Sequence, residues 1–260
     1  MPATILVAPV AFKGSLGPRL VAEALVEGAR RAAPGALLLA CPLADGGDGL
    51  LDAVLAPSAL REPVSVTGPL GRPVQAEIGW IDGETAIIES AAACGLRLLR
   101  VDERDPQAAT SRGVGELVAV GVERGAATVV VGLGGSATVD GGAGAARALG
   151  WRLKDAGGQD LPDGGGALAS LAELDHGWAL SARVVALADV TNPLVGPDGA
   201  ARVFGPQKGA SPADVERLDA GLARLAELMA RHGRPELAAL PGGGAAGGLG
   251  AGLAFFARAA

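Results

Sequence analysis

The chain is predicted to be an α/β protein, and three observations predict it. Strand-like apolar runs alternate with stretches whose apolar residues recur at helical spacing. Several of those runs end in glycines and acids, where open α/β sheets hold their ligands. After Pro63 the texture shifts to short strands between Gly-Pro, Gly-Arg-Pro and Asp-Gly turns, which predicts a mixed or antiparallel part.

The elements follow in order. "ILVAPV" (5–10) is a continuous apolar strand, and "LVAEALVEGARRAA" (20–33) has helical spacing, with Pro18 after Gly17 as a start signal. "ALLLACPL" (36–43) predicts a second strand, which "ADGGDG" turns into "LLDAVL". Beyond the punctuated region come a helix through "SRGVGELVAVGVERG", the strand "TVVVGLG", a helix through "GAGAARALGWRL" and the strand "ARVVALADV" (182–190). The helix in "SPADVERLDAGLARLAELMARHG" begins with Ser211 as N-cap, Pro212 in the first turn and Asp214 at the positive dipole end. Its stripe of Val215, Leu218, Leu222, Leu225 and Met229 predicts core, and Gly233 then Pro235 end it.

Composition narrows the functions. Hydrophobic residues make up 49% and charged residues 19%, the balance of a globular chain of 260 residues that can bury a sizeable core. A net charge of −6, no Tyr and only 4 Phe and 3 Trp argue against nucleic-acid partners. No run approaches a membrane span, and "MPATILVAPVAF" lacks the basic region of a signal peptide, so a cytoplasmic location is expected. Cys41 and Cys94 sit in apolar surroundings and read as buried, reduced thiols.

The P-loop pattern is absent. A G-x-G-x-x-G match at Gly242, Gly244 and Gly247 follows a helix rather than a strand, and among 42 glycines it carries no weight. The informative groups stand at the ends of apolar runs. Lys13, Gly14 and Ser15 follow the first strand and can hold a phosphate or carboxylate, although taken alone a surface lysine in an ordinary βα turn is the favoured reading. Asp45 and Asp48 fit Mg²⁺ or a base toward a hydroxyl, and equally a plain Asp-Gly-Gly turn. Glu89 and Ser90 end "AIIES". The stretch "GLGGSATVDGG" (132–142) offers backbone N–H groups at Gly134 and Gly135 and hydroxyls at Ser136 and Thr138, while Asp140 suits either Mg²⁺ or an N-cap. Asp189, Thr191 and Asn192 end a later strand, and Gln207 with Lys208 precede a helix. Together these describe a cleft of acids, glycines and lysines of the kind phosphoryl transfer requires.

In this order, "AFKGSL", "PLADGGDG", "TSRGVGEL", "GLGGSATVDGGAGAARALG", "DVTNPLVG", "VFGPQKGA" and "PGGGAAGGLGAGL" strongly resemble the type I bacterial glycerate kinases, over essentially the whole chain. The resemblance implies transfer of the γ-phosphate of ATP to D-glycerate with Mg²⁺, most members giving 2-phosphoglycerate. A kinase for another small hydroxy acid and a catalytically impaired remnant are the alternatives. It also implies two α/β domains, a parallel flavodoxin- or Rossmann-like domain (1–62 plus 241–260) with a second (63–240) inserted into it. Catalytic roles then fall to Lys13, Asp45, Asp48 and Asp189, and substrate binding to Ser15, Glu89 and Asn192. Nucleotide or phosphate binding falls to Gly134, Gly135, Ser136, Thr138 and Lys208, and metal binding to Asp48 and Asp140. Two departures stand out. The family's P-D-S-F-K-G-S reads here with Val10 and Ala11 in place of the acid and hydroxyl, which implies weakened activity if that acid binds metal or substrate. Family members also continue well past the "PGGGAAGG" block, which implies that the first domain is incomplete. Its uncovered strand edges, and the helix carrying Leu249, Leu253, Phe255 and Phe256 docked against them, would favour self-association.

Overall fold

The computed structural model describes residues 2–12 and 15–260. It is α/β, with three separate groups of strands. The first is small: β1 (Thr4–Val7) pairs in parallel with β2 (Leu37–Ala40), Thr4 lying opposite Leu37 and Val7 opposite Ala40. Between them runs α1 (Pro18–Ala32), which starts at Pro18 as its sequence predicts and buries only Pro18, Val21 and Ala22. The short α2 (Leu50–Val54) follows and buries Leu50 and Leu51.

The main sheet has five strands in the order β3 (Arg61–Thr67), β4 (Pro73–Trp80), β5 (Thr85–Glu89), β6 (Thr128–Leu133) and β9 (Arg183–Ala188). The first three pair antiparallel, as the turn signals after Pro63 predict. The β5, β6 and β9 strands are parallel, with Glu89 opposite Gly132 and Leu133 opposite Ala188, so their C-terminal ends lie side by side. Between β5 and β6 come the short α3 (Ser90–Cys94) and the amphipathic α4 (Arg112–Glu123), whose Val114, Leu117 and Val118 are fully buried. The Glu116 carboxylate accepts from the Thr67 N–H at 2.7 Å and the Thr67 hydroxyl at 2.8 Å, tying α4 to the edge strand.

After β6 the chain forms α5 (Ala143–Ala148), shorter than its spacing predicts. Gly150 takes a left-handed φ of 84°, and the residues expected to prolong the helix instead form β7 (Arg152–Lys154), antiparallel to β8 (Glu173–Asp175). Past β9 lie α6 (Ala200–Phe204) and the long α7 (Pro212–Arg231), where Ser211 and Asp214 form a capping box. The stripe on α7 is core: Leu218, Leu222, Leu225 and Met229 are fully buried, while Val215 is half-buried at the first turn.

The final helix, α8 (Ala245–Phe256), departs from expectation. It does not dock on β1 and β2. Leu249 and Leu253 enter the core of the main sheet, and Phe255 and Phe256 pack with the α7 stripe. Trp151 contacts both rings and donates its indole N–H to the Phe256 carbonyl at 3.1 Å. The reason is α8's composition, apolar all round, which suits a helix enclosed between layers. Ala260 then lies along the β9 edge, donating to the Val184 carbonyl and accepting from the Ala186 N–H, both at 3.1 Å. Residues 245–256 thus pack with the main sheet and the α7 stripe, whereas the expectation grouped 241–260 with β1 and β2. The discounted glycine motif is a packing device: at Gly247, φ 70°, an added Cβ would stand 1.9 Å from the Thr138 carbonyl oxygen. Cys94 is buried as expected and Cys41 is exposed, as are Leu37 and Leu39 of the strand before it.

Candidate functional site

Parallel pairing puts the C-terminal ends of β5, β6 and β9 at one side of the sheet, and the residues that follow them line a cavity of about 790 Å³. Its opposite wall comes from the loops after β1 and β2, contributing residues 10–12, 15–17, 44–45 and 47–49. Position at strand ends is why so much of this lining is legible in sequence.

The two glycine-rich loops touch backbone to backbone. A Cβ at Gly132 would stand 2.4 Å from the Gly46 oxygen, and one at Gly134 would stand 2.6 Å from the Gly47 Cα. Gly46 itself, φ 86°, leaves no room against the Leu187 carbonyl. Part of the glycine content of 132–142 therefore serves the seating of one loop on the other. The loop is pinned from behind as well: the Leu96 N–H donates to the Gly135 carbonyl at 2.8 Å, and the Ala137 N–H to the Cys94 carbonyl at 2.7 Å. The N–H groups of Gly135 and Ser136 make no hydrogen bond among the described residues, so this loop keeps donors for a ligand.

Around this frame Asp45, Asp48, Asp189, Ser15, Glu89, Gly134, Gly135, Ser136 and Lys208, all candidates from the sequence, line the cavity. Asp45 accepts the Gly47 N–H at 3.0 Å, closing its own turn. Asp48 pairs with Arg97 at 3.1 Å. Glu89 is buried and accepts the Leu51 N–H at 2.9 Å, bracing the first residues of α2; burial pushes its carboxyl pKa up, against that N–H and the Arg97 charge. Lys208, 3% exposed, donates to the Ser136 hydroxyl oxygen at 2.9 Å and the Thr138 carbonyl at 2.7 Å, and burial brings its ammonium down to about 8. Val10 and Ala11, the two departures from the family pattern, are part of the lining.

Three expected residues are not brought to the cavity, and Lys13 lies outside the described residues. Asp140 is fully buried and accepts from the Ser111 N–H and hydroxyl, both at 2.8 Å, and from the N–H groups of Gly142 at 3.2 Å and Gly144 at 3.1 Å. Its oxygens are engaged by these donors, which organise the turn into α5, whose N-cap is Gly142; the expected metal role finds no cavity-facing oxygen here. Thr138 is fully buried behind the loop and serves Lys208 through its carbonyl. Asn192 donates to the Asp198 carbonyl at 2.9 Å, closing the turn after β9.

Sequence reading missed Arg97, Arg61, Asp52 and Glu77, all in the lining. Arg61 sits between Asp52 at 2.8 Å and Glu77 at 3.7 Å. It begins a strand, so a search at strand ends looks away from it. Arg97 follows α3, one short helix beyond Glu89, and could have been found by extending that search across the helix. No three His, Cys, Asp or Glu side chains converge as a ready metal cage among the described residues. Among them, no helix is long and apolar enough to cross a membrane.

Comparison with known proteins places these features in a group. A family model described as the glycerate kinase family matches residues 5–260. The chain is 46% identical over 258 residues to the glycerate 2-kinase of Escherichia coli K12, covering 97% of this chain and 68% of that protein. It is 45% identical over 262 residues to the glycerate kinase of Bacillus subtilis 168, covering 98% and 68%. A crystal structure assigned as glycerate kinase 2 of Salmonella typhimurium LT2 superimposes with a TM-score of 0.86 at 45% identity, covering all of this chain and 71% of that one. The chain belongs to the glycerate kinase family.

Proposed function

We propose that the cavity transfers the γ-phosphate of ATP to the hydroxyl of D-glycerate, giving a phosphoglycerate, with 2-phosphoglycerate the expected product. The observation that carries this reading is the meeting of Glu89, the Gly134–Ser136 loop and Asp189 at three parallel strand ends, opposite Asp45 and Asp48. The N–H groups of Gly135 and Ser136, unbonded among the described residues, suit phosphate oxygens. A carboxylate of the 45–48 loop, or Asp189, receives the proton of the attacking hydroxyl.

Mg²⁺ fits this lining, because it commonly takes one or two carboxylates together with substrate phosphates rather than a full protein cage. Asp48 with Asp45 are the residues to hold it. Bound there with the nucleotide, it would neutralise charge on the phosphate oxygens. Lys13, Ser15 and Arg97 supply charge and hydrogen bonds for a substrate that has a carboxylate and no apolar anchor. Val10 and Ala11 support a second reading, in which this chain binds ligand with impaired turnover: they face the cavity where the family pattern has an acid and a hydroxyl.

An ADP-release assay tests both readings. ADP formation is expected only with Mg²⁺ and D-glycerate present, and Asp45→Asn or Lys13→Ala should lower turnover by roughly a hundredfold with little change in melting temperature. Equal rates on unrelated hydroxy acids would overturn the substrate, and ATP binding without ADP release would establish the second reading.

A further inference from the structure

Lys208 is a buried cation without a counter-ion in reach: among the described residues no carboxylate lies within ion-pair distance. Its neighbours are instead two oxygens, Ser136 Oγ and the Thr138 carbonyl. An ammonium carries three donors and no acceptor. Ser136 Oγ must therefore accept from it, and the Ser136 proton is turned away from Lys208. No described residue receives that proton, and Ser136 lines the cavity. We propose that Lys208 is a positioning residue, holding the Ser136 hydroxyl proton toward the cavity as a donor to an anionic ligand oxygen, and that only its charged form, which cannot accept, enforces this direction. The inference rests on the reading of the Gly134–Ser136 loop as a phosphate site.

Deprotonation would remove that constraint: a neutral amine keeps two N–H donors but gains a lone pair, so it can accept from the Ser136 hydroxyl and draw the donor away from the cavity. The groups around Lys208 are the Asp140 carboxylate and the Cys94 thiol, with the Arg104 guanidinium on the Gln207 carbonyl beside it. Cys94 is pushed by burial up to about 12 and stays neutral, so Asp140 is the one charge that favours the ammonium from the loop side. Burial outweighs it and brings Lys208 to about 8. The donor is thus held toward the cavity at neutral pH and is released from that constraint as pH rises through about 8.

The test is ATP affinity of the full chain, by calorimetric titration between roughly pH 7 and 9.5, where the terminal phosphate with its second pKa near 6 is already largely ionised. The wild type should bind about tenfold to a hundredfold more weakly above pH 8 than below it, the range for one hydrogen bond to a charged group. Ser136→Ala and Lys208→Met should each show that weaker affinity already at the low end, with no inflection, and the double variant should be no weaker than the weaker single. A Ser136→Ala profile that still falls across pH 8 would mean Lys208 contacts the ligand itself, and would overturn the proposal, as would additive losses in the double variant. Wild-type binding with a flat profile overturns it alone; no wild-type binding overturns the phosphate reading as well. Should melting curves show Lys208→Met unfolded, Ser136→Ala against the wild type decides the matter.

Discussion

Two parallel strand groups in this molecule are built from the same local pattern and end in different states. Both β1–β2 and β5–β6–β9 are apolar runs that end in loops lining the cavity. In the second group Ile88, Val129 and Val131 are fully buried, because α4 and α8 cover the sheet. In the first, α1 covers one face, and Leu6 stands 63% exposed with Leu37 at 54% on the other. Parallel sheets are ordinarily covered on both faces. The difference teaches that an apolar run states that a strand wants cover, and only tertiary structure states whether it has it.

The comparison can be broken most forcefully by matched truncations. Leu225→Ala removes a fully buried side chain from the α7 stripe and should cost about 3 kcal/mol, lowering the melting temperature by roughly 6–12 °C. Leu6→Ala should stay within about 0.5 kcal/mol. Equal losses would show that β1–β2 is packed as firmly as the main sheet.

A second measurement sharpens the contrast. Amide hydrogen exchange should protect β6 at least about a hundredfold more than β1 and β2, since local opening is easiest where few apolar contacts are lost. The bare face also predicts reversible self-association in sedimentation, reduced by Leu6→Lys with Leu39→Lys. Uniform protection in a monomer would remove the distinction. The smallest effect is chemical: one thiol, Cys41, should react with a disulfide reagent in the native protein, and Cys94 only after unfolding.

Much of the site was legible because it obeys a rule about position. Asp45, Glu89, Gly134 and Asp189 follow strands that announce themselves by apolar runs, and parallel pairing brings strand ends together. What stayed illegible depended on what lies behind each residue. Asp140 could be ligand or cap until its four donors were visible, and burial raises its pKa while those donors oppose the rise. Thr138 and Ser136 are two positions apart in one loop, yet one faces backward and the other faces the cavity. Likewise α8 reads as an apolar helix with no indication of which layer it will enter. Local pattern fixes an element and its ends; the choice of neighbour is a long-range matter.

The cavity wall has a consequence for how this protein comes to be folded. Its lining is drawn from stretches around residues 10, 45, 96, 134, 189, 207 and 246, nearly the full span of the chain. Contacts between such distant segments require large loops to close first, and they form slowly compared with local helices. The cavity therefore has no precursor in any fragment, and it appears only when β6, the 44–49 loop and α8 have met. Any ligand that binds only the assembled cavity would draw these last, slowest contacts toward completion by mass action.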